Sequence, residues 1–378
     1  MGGYGGVMEH DEGHAPAVDW DVAADVAARF VRPGPPATRS ELAELVAGLR
    51  AAATDAVAHV ERITELGPVG EPPTARSSGP APTPDVRPPL SRTLVVDRAS
   101  WARANARMLA VMTSGVRTGG RDRPTARWSG GAQVGTVLSV VSSRVLGQFD
   151  PFTASLDPRT GRPGPGTLLL VAPNVLRMER TLDVVPGDFR LWVALHEQTH
   201  ARQFAAAPWL AAHLRDRATA LLTDLVGDDG APGAPGARAV LARVVGAITG
   251  RASDGVEAVL SPRQREAFDE LGAVMALLEG HADVMMDAVG PDVVPTVRVI
   301  RERFDARRQG TGRWDAVVRS LLGVDQKLAQ YRDGAVFVRS VTSAVGTSGL
   351  NAVWSEPGTL PSAREIADPR AWVRRVHG

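Results

Sequence analysis

The chain has 378 residues, of which 44% are hydrophobic and 22% are charged, a composition typical of globular proteins that excludes wholesale disorder. Its net charge of +1 gives no global electrostatic reason to expect binding to nucleic acid or to an anionic membrane. The absence of cysteine excludes disulfides and thiolate chemistry, so any metal must be held by His, Asp or Glu.

The beginning of the chain predicts no targeting or membrane segment. Residues 1–17 are rich in glycine and then acidic, without the basic and apolar regions of a secretory signal. No run of about 18 apolar residues occurs anywhere, which argues against a membrane-spanning helix. We therefore expect a flexible tail over residues 1–17 and a cytoplasmic protein.

The first organised part is a helical region over residues 18–66, where Asp19 or Asp21 can cap the first helix. Proline, glycine, serine and threonine dominate residues 67–92, a composition typical of a linker or a long loop. The remaining residues, 93–378, are expected to form a helical domain that carries the chemistry.

One β-strand stands out in this second part. Residues Thr167–Val171 are apolar and follow Pro165-Gly166, which predicts a strand that pairs with residues near 148 and 149. After residue 188 the pattern predicts helices almost throughout. The predicted fold class is therefore mainly α with a minor β element.

The most informative motif is His196-Glu197-x-x-His200, within a predicted helix over residues 189–206 that Asp188 can cap. Residues i and i+4 lie on one face of a helix, so both imidazoles can reach one metal ion. The alternative is a chance match of two partly exposed histidines. With 8 histidines in the chain, only about 0.007 such matches are expected by chance.

A catalytic zinc needs three protein ligands and one open position. Gln203 and Ala206 stand where metzincins have glycine and histidine, which excludes that class. The gluzincin arrangement instead takes a glutamate from a second helix, and Glu279 is the downstream residue that fits.

The helix that carries Glu279 is predicted from a capping box, with Ser261 before Pro262 and Gln264 three residues later. Asp283 follows Glu279 at i+4 and could accept a hydrogen bond from the ring of a ligand histidine. Gly280 would allow a second helix to approach closely. His281 is a rival third ligand, or a histidine in the second layer around the metal.

Six motifs occur in the order found in one family. They are Val18-Asp19-Trp20, Val145-Leu146-Gly147-Gln148-Phe149-Asp150, Leu170-Val171-Ala172-Pro173-Asn174, Trp192-Val193-Ala194-Leu195-His196-Glu197, Leu278-Glu279-Gly280-His281-Ala282 and Gln330-Tyr331-Arg332-Asp333-Gly334. In these motifs the chain resembles the actinobacterial zincin-like metallopeptidase type 2 family, often labelled as associated with deazaflavin-coenzyme biosynthesis. The resemblance implies a mostly helical zincin fold with one metal held between two helices.

The same resemblance implies His196, His200 and Glu279 as ligands and Glu197 as the general base. In zincins an edge strand just before the metal helix pairs with an extended substrate. The resemblance therefore implies this role for four consecutive residues of the predicted strand. They are Leu168, Leu169, Leu170 and Val171.

The predicted activity is that of a gluzincin-like zinc metallopeptidase with one zinc per chain and a peptide or amide substrate. Glu197 would take a proton from the metal-activated water and deliver it to the leaving amine. Of the two tyrosines, Tyr331 is the better second donor to the oxyanion, because Tyr4 lies in the tail.

Two other functions remain open at this point. The chain could be a non-catalytic, zinc-stabilised scaffold that binds a partner protein. Glu197 argues against this, since a structural site has no use for a base beside its ligands and usually fills the fourth position. The chain could also hydrolyse the amide bond of a small metabolite instead of a peptide.

Overall fold

A computed structural model of the protein describes residues 18–67, 89–116, 124–154, 164–227, 261–309 and 328–378. The predicted tail and most of the predicted linker lie outside these ranges. Within them the helices are α1 (Trp20–Phe30), α2 (Arg39–Thr64), α3 (Arg98–Met112), α4 (Pro124–Val141), α5 (Ala172–Leu182), α6 (Pro186–Ala206), α7 (Leu210–Gly227), α8 (Pro262–Ala288), α9 (Val297–Gln309), α10 (Leu328–Leu350), α11 (Ala363–Ala367) and α12 (Pro369–His377).

Three strands form one small sheet in the described part of the chain. They are β1 (Arg92–Val96), β2 (Gly147–Asp150) and β3 (Thr167–Val171). The order is β1-β3-β2, with β1 parallel and β2 antiparallel to β3. This architecture confirms the predicted fold class, the strand and its pairing with residues 148 and 149, whereas β1 was not predicted.

Strand β3 is buried on both faces because helices cover each side of the sheet. Leu168 and Leu170 pack into a core with α2, α5 and α6. Leu169 and Val171 point the other way, into a core with α1, α3 and α4. All four side chains are at most 3% exposed.

The order of the strands contradicts one expectation from the sequence. Leu168, Leu169, Leu170 and Val171 were expected to form an edge strand that pairs with substrate. Strand β3 is the central strand, and both of its edges are already occupied by hydrogen bonds to β1 and β2. Its backbone therefore has no free edge to offer.

Helix α6 lies in the core that contains Leu168 and Leu170. It begins about one turn earlier than predicted. Pro186 is its first residue and Val185 its N-cap, so the prediction that Asp188 caps the helix is wrong. The carboxylate of Asp188 accepts hydrogen bonds from the N–H and hydroxyl of Thr296, at 2.8 and 2.6 Å. Asp188 thus ties the start of α6 to the start of α9.

Helix α8 begins as the sequence predicts. Ser261 accepts a hydrogen bond from the N–H of Gln264, whose side chain bonds back to the N–H of Ser261. Within the ranges described, no helix is both long and apolar enough to cross a membrane.

Candidate metal centre

Three side chains from α6 and α8 converge on one point. The Nε2 atoms of His196 and His200 lie 3.2 Å apart. Oε2 of Glu279 lies 3.3 Å from His196 Nε2, and Oε1 of Glu279 lies 3.6 Å from His200 Nε2. The i, i+4 spacing of the histidines on one helix face produces the first distance, and packing of α8 on α6 produces the other two.

These separations are close to those that a tetrahedral metal site requires. Ligand atoms about 2.0–2.1 Å from a zinc ion are separated by about 3.3–3.4 Å along the edges of a tetrahedron. The donor set of two imidazoles and one carboxylate is also one that zinc accepts. Two Nε2 lone pairs at 3.2 Å repel each other unless a cation or a proton lies between them. The residues present therefore fit a metal ion.

Hydrogen bonds on the far side of each ring favour the tautomer that a metal needs. His200 Nδ1 lies 2.9 Å from Oε1 of Gln203, an oxygen that can only accept, so Nδ1 is the donor. His196 Nδ1 lies 3.3 Å from the sulfur of Met286, a weak acceptor. With protons on both Nδ1 atoms, both Nε2 lone pairs face the centre.

Gln203 was not predicted from the sequence to belong to the site. Its side chain is fully buried, and its Nε2 donates to the carbonyl of Leu278 at 2.9 Å and to Nδ1 of His281 at 3.0 Å. It thereby joins one proposed ligand, His200, to the backbone beside another, Glu279. The available signal was its position three residues after His200, on the same helix face.

His281 is not among the three converging side chains. It is fully buried, contacts Gln203 and lies edge-on to Trp354 with ring centroids 5.4 Å apart. Burial, together with the charge of His200, lowers the pKa of His281 to about 3. The ring is therefore neutral, and its Nδ1 accepts the hydrogen bond from Gln203.

The expected role of Asp283 is contradicted by its contacts. It was predicted to accept a hydrogen bond from the ring of a ligand histidine. Its carboxylate instead pairs with Arg301 at 2.9 Å, and the same guanidinium reaches Asp287 at 2.7 Å. Arg301 also lies over the ring of Trp192, 5.2 Å from its centroid, so this cluster fastens α9 to α8 and α6.

Burial and the neighbouring charges have opposite effects on the pKa of His196. Burial by itself lowers the pKa of His196, but a hydrogen bond to Glu279 and the charges of Glu279, Glu197 and Asp283 raise it to about 9. For His200 burial is the largest influence, and its pKa lies below the usual value. Without a metal, His196 is therefore the more basic of the two rings, and its proton and a metal ion compete for the same side of the ring.

Glu197 follows His196 on α6 and is only 7% exposed. Burial raises the pKa of its carboxyl to about 7; the charge of His196 opposes this and that of Glu279 adds to it. Its side chain lies against Gly147, the first residue of β2. A carboxylate in this setting can accept and release a proton near neutral pH.

Strand β2 runs along α6. No described residue pairs with the edge of β2 that faces away from β3. The N–H of Val171 donates to the carbonyl of Leu146, so by alternation the N–H and C=O of Gly147 and Phe149 point away from β3. The ring of Phe149 packs against that of Phe204, one turn beyond His200, with centroids 5.7 Å apart.

The three converging residues are open to solvent on one side. The side chain of Glu279 is 41% exposed, compared with 22% for His196 and 12% for His200. Tyr331 lies in the first turn of α10, and its side chain is outside the part of the chain that the structure describes.

Comparison with known proteins adds two findings. A family model described as zincin-like metallopeptidase matches residues 18–373. The chain is also similar to a crystal structure from Chloroflexus aurantiacus, which is described provisionally as a hydrolase with a novel fold. The TM-score is 0.60 and the sequence identity is 27%, and the match covers 95% of this chain and 98% of that chain. None of the curated proteins matches.

Proposed function

Because the chain belongs to the zincin-like metallopeptidase family, we propose that it is a zinc-dependent peptidase with Glu197 as its general base. The observation that carries the proposal is the convergence of His196, His200 and Glu279, whose ligand atoms, one from each residue, all lie within 4.8 Å of one another. These residues would hold one zinc ion per chain and leave its fourth position on the solvent side.

When bound, zinc supplies Lewis-acid chemistry, which lowers the pKa of a water towards about 7 and polarises the substrate carbonyl. The chain's contribution is to hold the ligands in place. Gln203 fixes the ring of His200, and Met286 contacts the ring of His196. Both rings then need no reorientation when the metal binds.

Glu197 moves the proton. Its carboxylate would take a proton from the attacking water and deliver it to the nitrogen of the leaving amine. Burial raises the proton affinity of the carboxyl, and the charge of His196 opposes that effect. The two influences together suit a group that must both accept and donate in one reaction cycle.

The edge of β2 with which no described residue pairs is a better place for an extended substrate than the buried strand β3. The outward N–H and C=O groups of Gly147 and Phe149 can pair with the backbone of a peptide. Gly147 lies directly beside Glu197, so a peptide paired there would present its backbone next to the general base. This placement favours a peptide over a small amide metabolite.

Tyr331 remains our candidate for the second donor to the oxyanion. It lies three residues before Gly334, and α10 crosses α8 where Gly334 meets Gly280, the neighbour of Glu279. The contact of Gly334 with the neighbour of Glu279 supports this choice. The relative from Chloroflexus, described as a hydrolase, supports the reaction class.

Glu197→Gln tests the proposal, because it removes the proton acceptor and leaves all three ligands in place. We expect normal zinc content and a fall in peptide hydrolysis of about 10²–10⁴-fold in a broad peptide-library screen. Glu270→Gln is the matched control, since Glu270 lies on the surface of α8 in a pair with Arg217, away from the centre. The proposal is wrong if the wild type cleaves no peptide, or if Glu197→Gln cleaves as fast as the wild type.

A further inference from the structure

The side chain of Glu197 occupies the space that a side chain at residue 147 would need. A methyl group at Gly147 would lie 2.6 Å from Cγ of Glu197 and 2.7 Å from both Cδ and Oε1. These distances are well inside van der Waals contact, which begins near 3.5 Å between carbon atoms. With alanine at residue 147, the Glu197 carboxylate could not keep its present position.

The backbone gives no separate reason for glycine here. Among the described glycines, positive φ angles occur at Gly290 and Gly346, and Gly147 has the ordinary conformation of a strand residue. Glycine inside a strand is less stable than alanine by roughly 0.5–1 kcal/mol. The lack of a side chain at Gly147 is therefore explained by its contact with Glu197.

Helix α6 itself cannot yield to an added methyl group at Gly147. Gln198, the residue after Glu197, is 2% exposed and bonds to the carbonyl of Ala53 at 2.8 Å and to the hydroxyl of Ser91 at 3.1 Å. The side chain of Glu197 can still rotate about its own bonds. An alanine at residue 147 should therefore displace the carboxylate and leave the backbone of the helix in place.

We infer that Gly147 is a positioning residue, whose missing side chain determines where the Glu197 carboxylate lies. Its consequence for catalysis rests on the proposed function of Glu197, but the contact itself does not. Because the three atoms nearest to an added methyl group at Gly147 all belong to Glu197, displacement of the base should leave the metal ligands intact.

The contact can be tested without activity, by a double-mutant cycle on the metal-free protein. Gly147→Ala should lower the Tm by about 2 °C or more in the wild-type background, because the new methyl group displaces a buried side chain. In the Glu197→Ala background the same change should leave the Tm unchanged or raise it. Gly187→Ala, in α6 with no atom within 4 Å of the added Cβ, should shift the Tm equally in both backgrounds.

The zinc-loaded protein tests the consequence for catalysis. Gly147→Ala should keep one zinc per chain and lower kcat at least about tenfold with little change in KM, and should lower it no further in the Glu197→Gln background. Equal Tm changes in both backgrounds, or an unchanged kcat, would overturn the inference. If the wild type hydrolyses no peptide, the proposed function fails, and the thermal cycle still decides whether Gly147 positions Glu197.

Discussion

Gly280 and Gly334 lie in direct contact where α8 crosses α10, and neither position has room for a Cβ atom. A Cβ at Gly280 would overlap the carbonyl carbon of Gly334, and one at Gly334 would overlap the carbonyl oxygen of Ala276. Gly280 directly follows Glu279 in α8. The close crossing of these two helices therefore sets the position of the backbone that carries the carboxylate of the metal centre.

Gly280→Ala should disturb both the fold and the site, because the added methyl group meets backbone atoms that cannot rotate away. We expect a loss of about 1–3 kcal/mol in the free energy of unfolding, measured in urea, and weaker zinc binding. Gly272→Ala is the control in the same helix, since nothing lies within 4 Å of its added Cβ. It should raise stability by up to about 1 kcal/mol; equal effects of the two changes would contradict the crossing.

Stability should depend on pH through Glu365, which accepts a hydrogen bond from the N–H of Ser362, the N-cap of α11, and pairs with Arg375 at 2.6 Å. Partial burial raises the pKa of Glu365, but hydrogen bonds from Arg375 and Ser362 outweigh it, so the pKa lies below its usual value. Such a group stabilises the fold above its unfolded pKa, and the stabilisation is lost as pH falls through the folded pKa.

Glu365→Gln should therefore cost stability at pH 7, and the difference from wild type should shrink as the pH falls below about 4.5. Urea unfolding of the metal-free proteins between pH 7 and pH 3 measures this difference. A difference that stays constant over the whole range would assign the effect of the substitution to the shape of the side chain and not to its charge.

Zinc content distinguishes the two candidates for the third ligand. His196→Ala, His200→Ala and Glu279→Ala should each lose the metal, because each removes one of the three converging ligands. His281→Ala should lower stability by opening a cavity but should keep about one zinc per chain, since His281 contacts Gln203 and not the centre. Zinc lost in His281→Ala and kept in Glu279→Ala would show that the wrong residue was chosen on α8.

The features that could be predicted from the sequence depend on residues that lie close together along the chain. The spacing of His196 and His200 follows from one helical turn. The start of α8 follows from a capping box within four residues. The fold class follows from periodicity in each segment. In all three cases the deciding interaction lies within a few residues along the chain.

The errors concern partners that are distant in sequence. Asp283 was assigned to a ligand ring, but Arg301, 18 residues later, reaches it first. Strand β3 was expected at an edge, and the pairing with Arg92–Val96 that buries it crosses more than 70 residues. The bond from Gln203 to Leu278 likewise spans 75 residues, so periodicity along α6 could not reveal it.

Gln203 should control the affinity of the centre for zinc. Gln203→Leu has about the same volume but removes the acceptor for His200 Nδ1 and the donor to Leu278, which are 2.9 Å from the amide on either side. Loss of a partner of this kind typically costs 10–100-fold in metal affinity, so we expect a rise in the dissociation constant for zinc of about 10–100-fold. Competition with a chromophoric chelator measures it.

Gln198→Leu separates this effect from the general cost of losing a buried amide. Gln198 lies on the same helix, is equally buried and bonds to Ser91 and Ala53, on the side away from the metal centre. Both variants should lose stability, because each leaves buried polar groups without a partner. Only Gln203→Leu should weaken zinc binding, since only its amide holds a ligand ring. Equal zinc affinities in the two variants would show that the ring of His200 is held by other contacts.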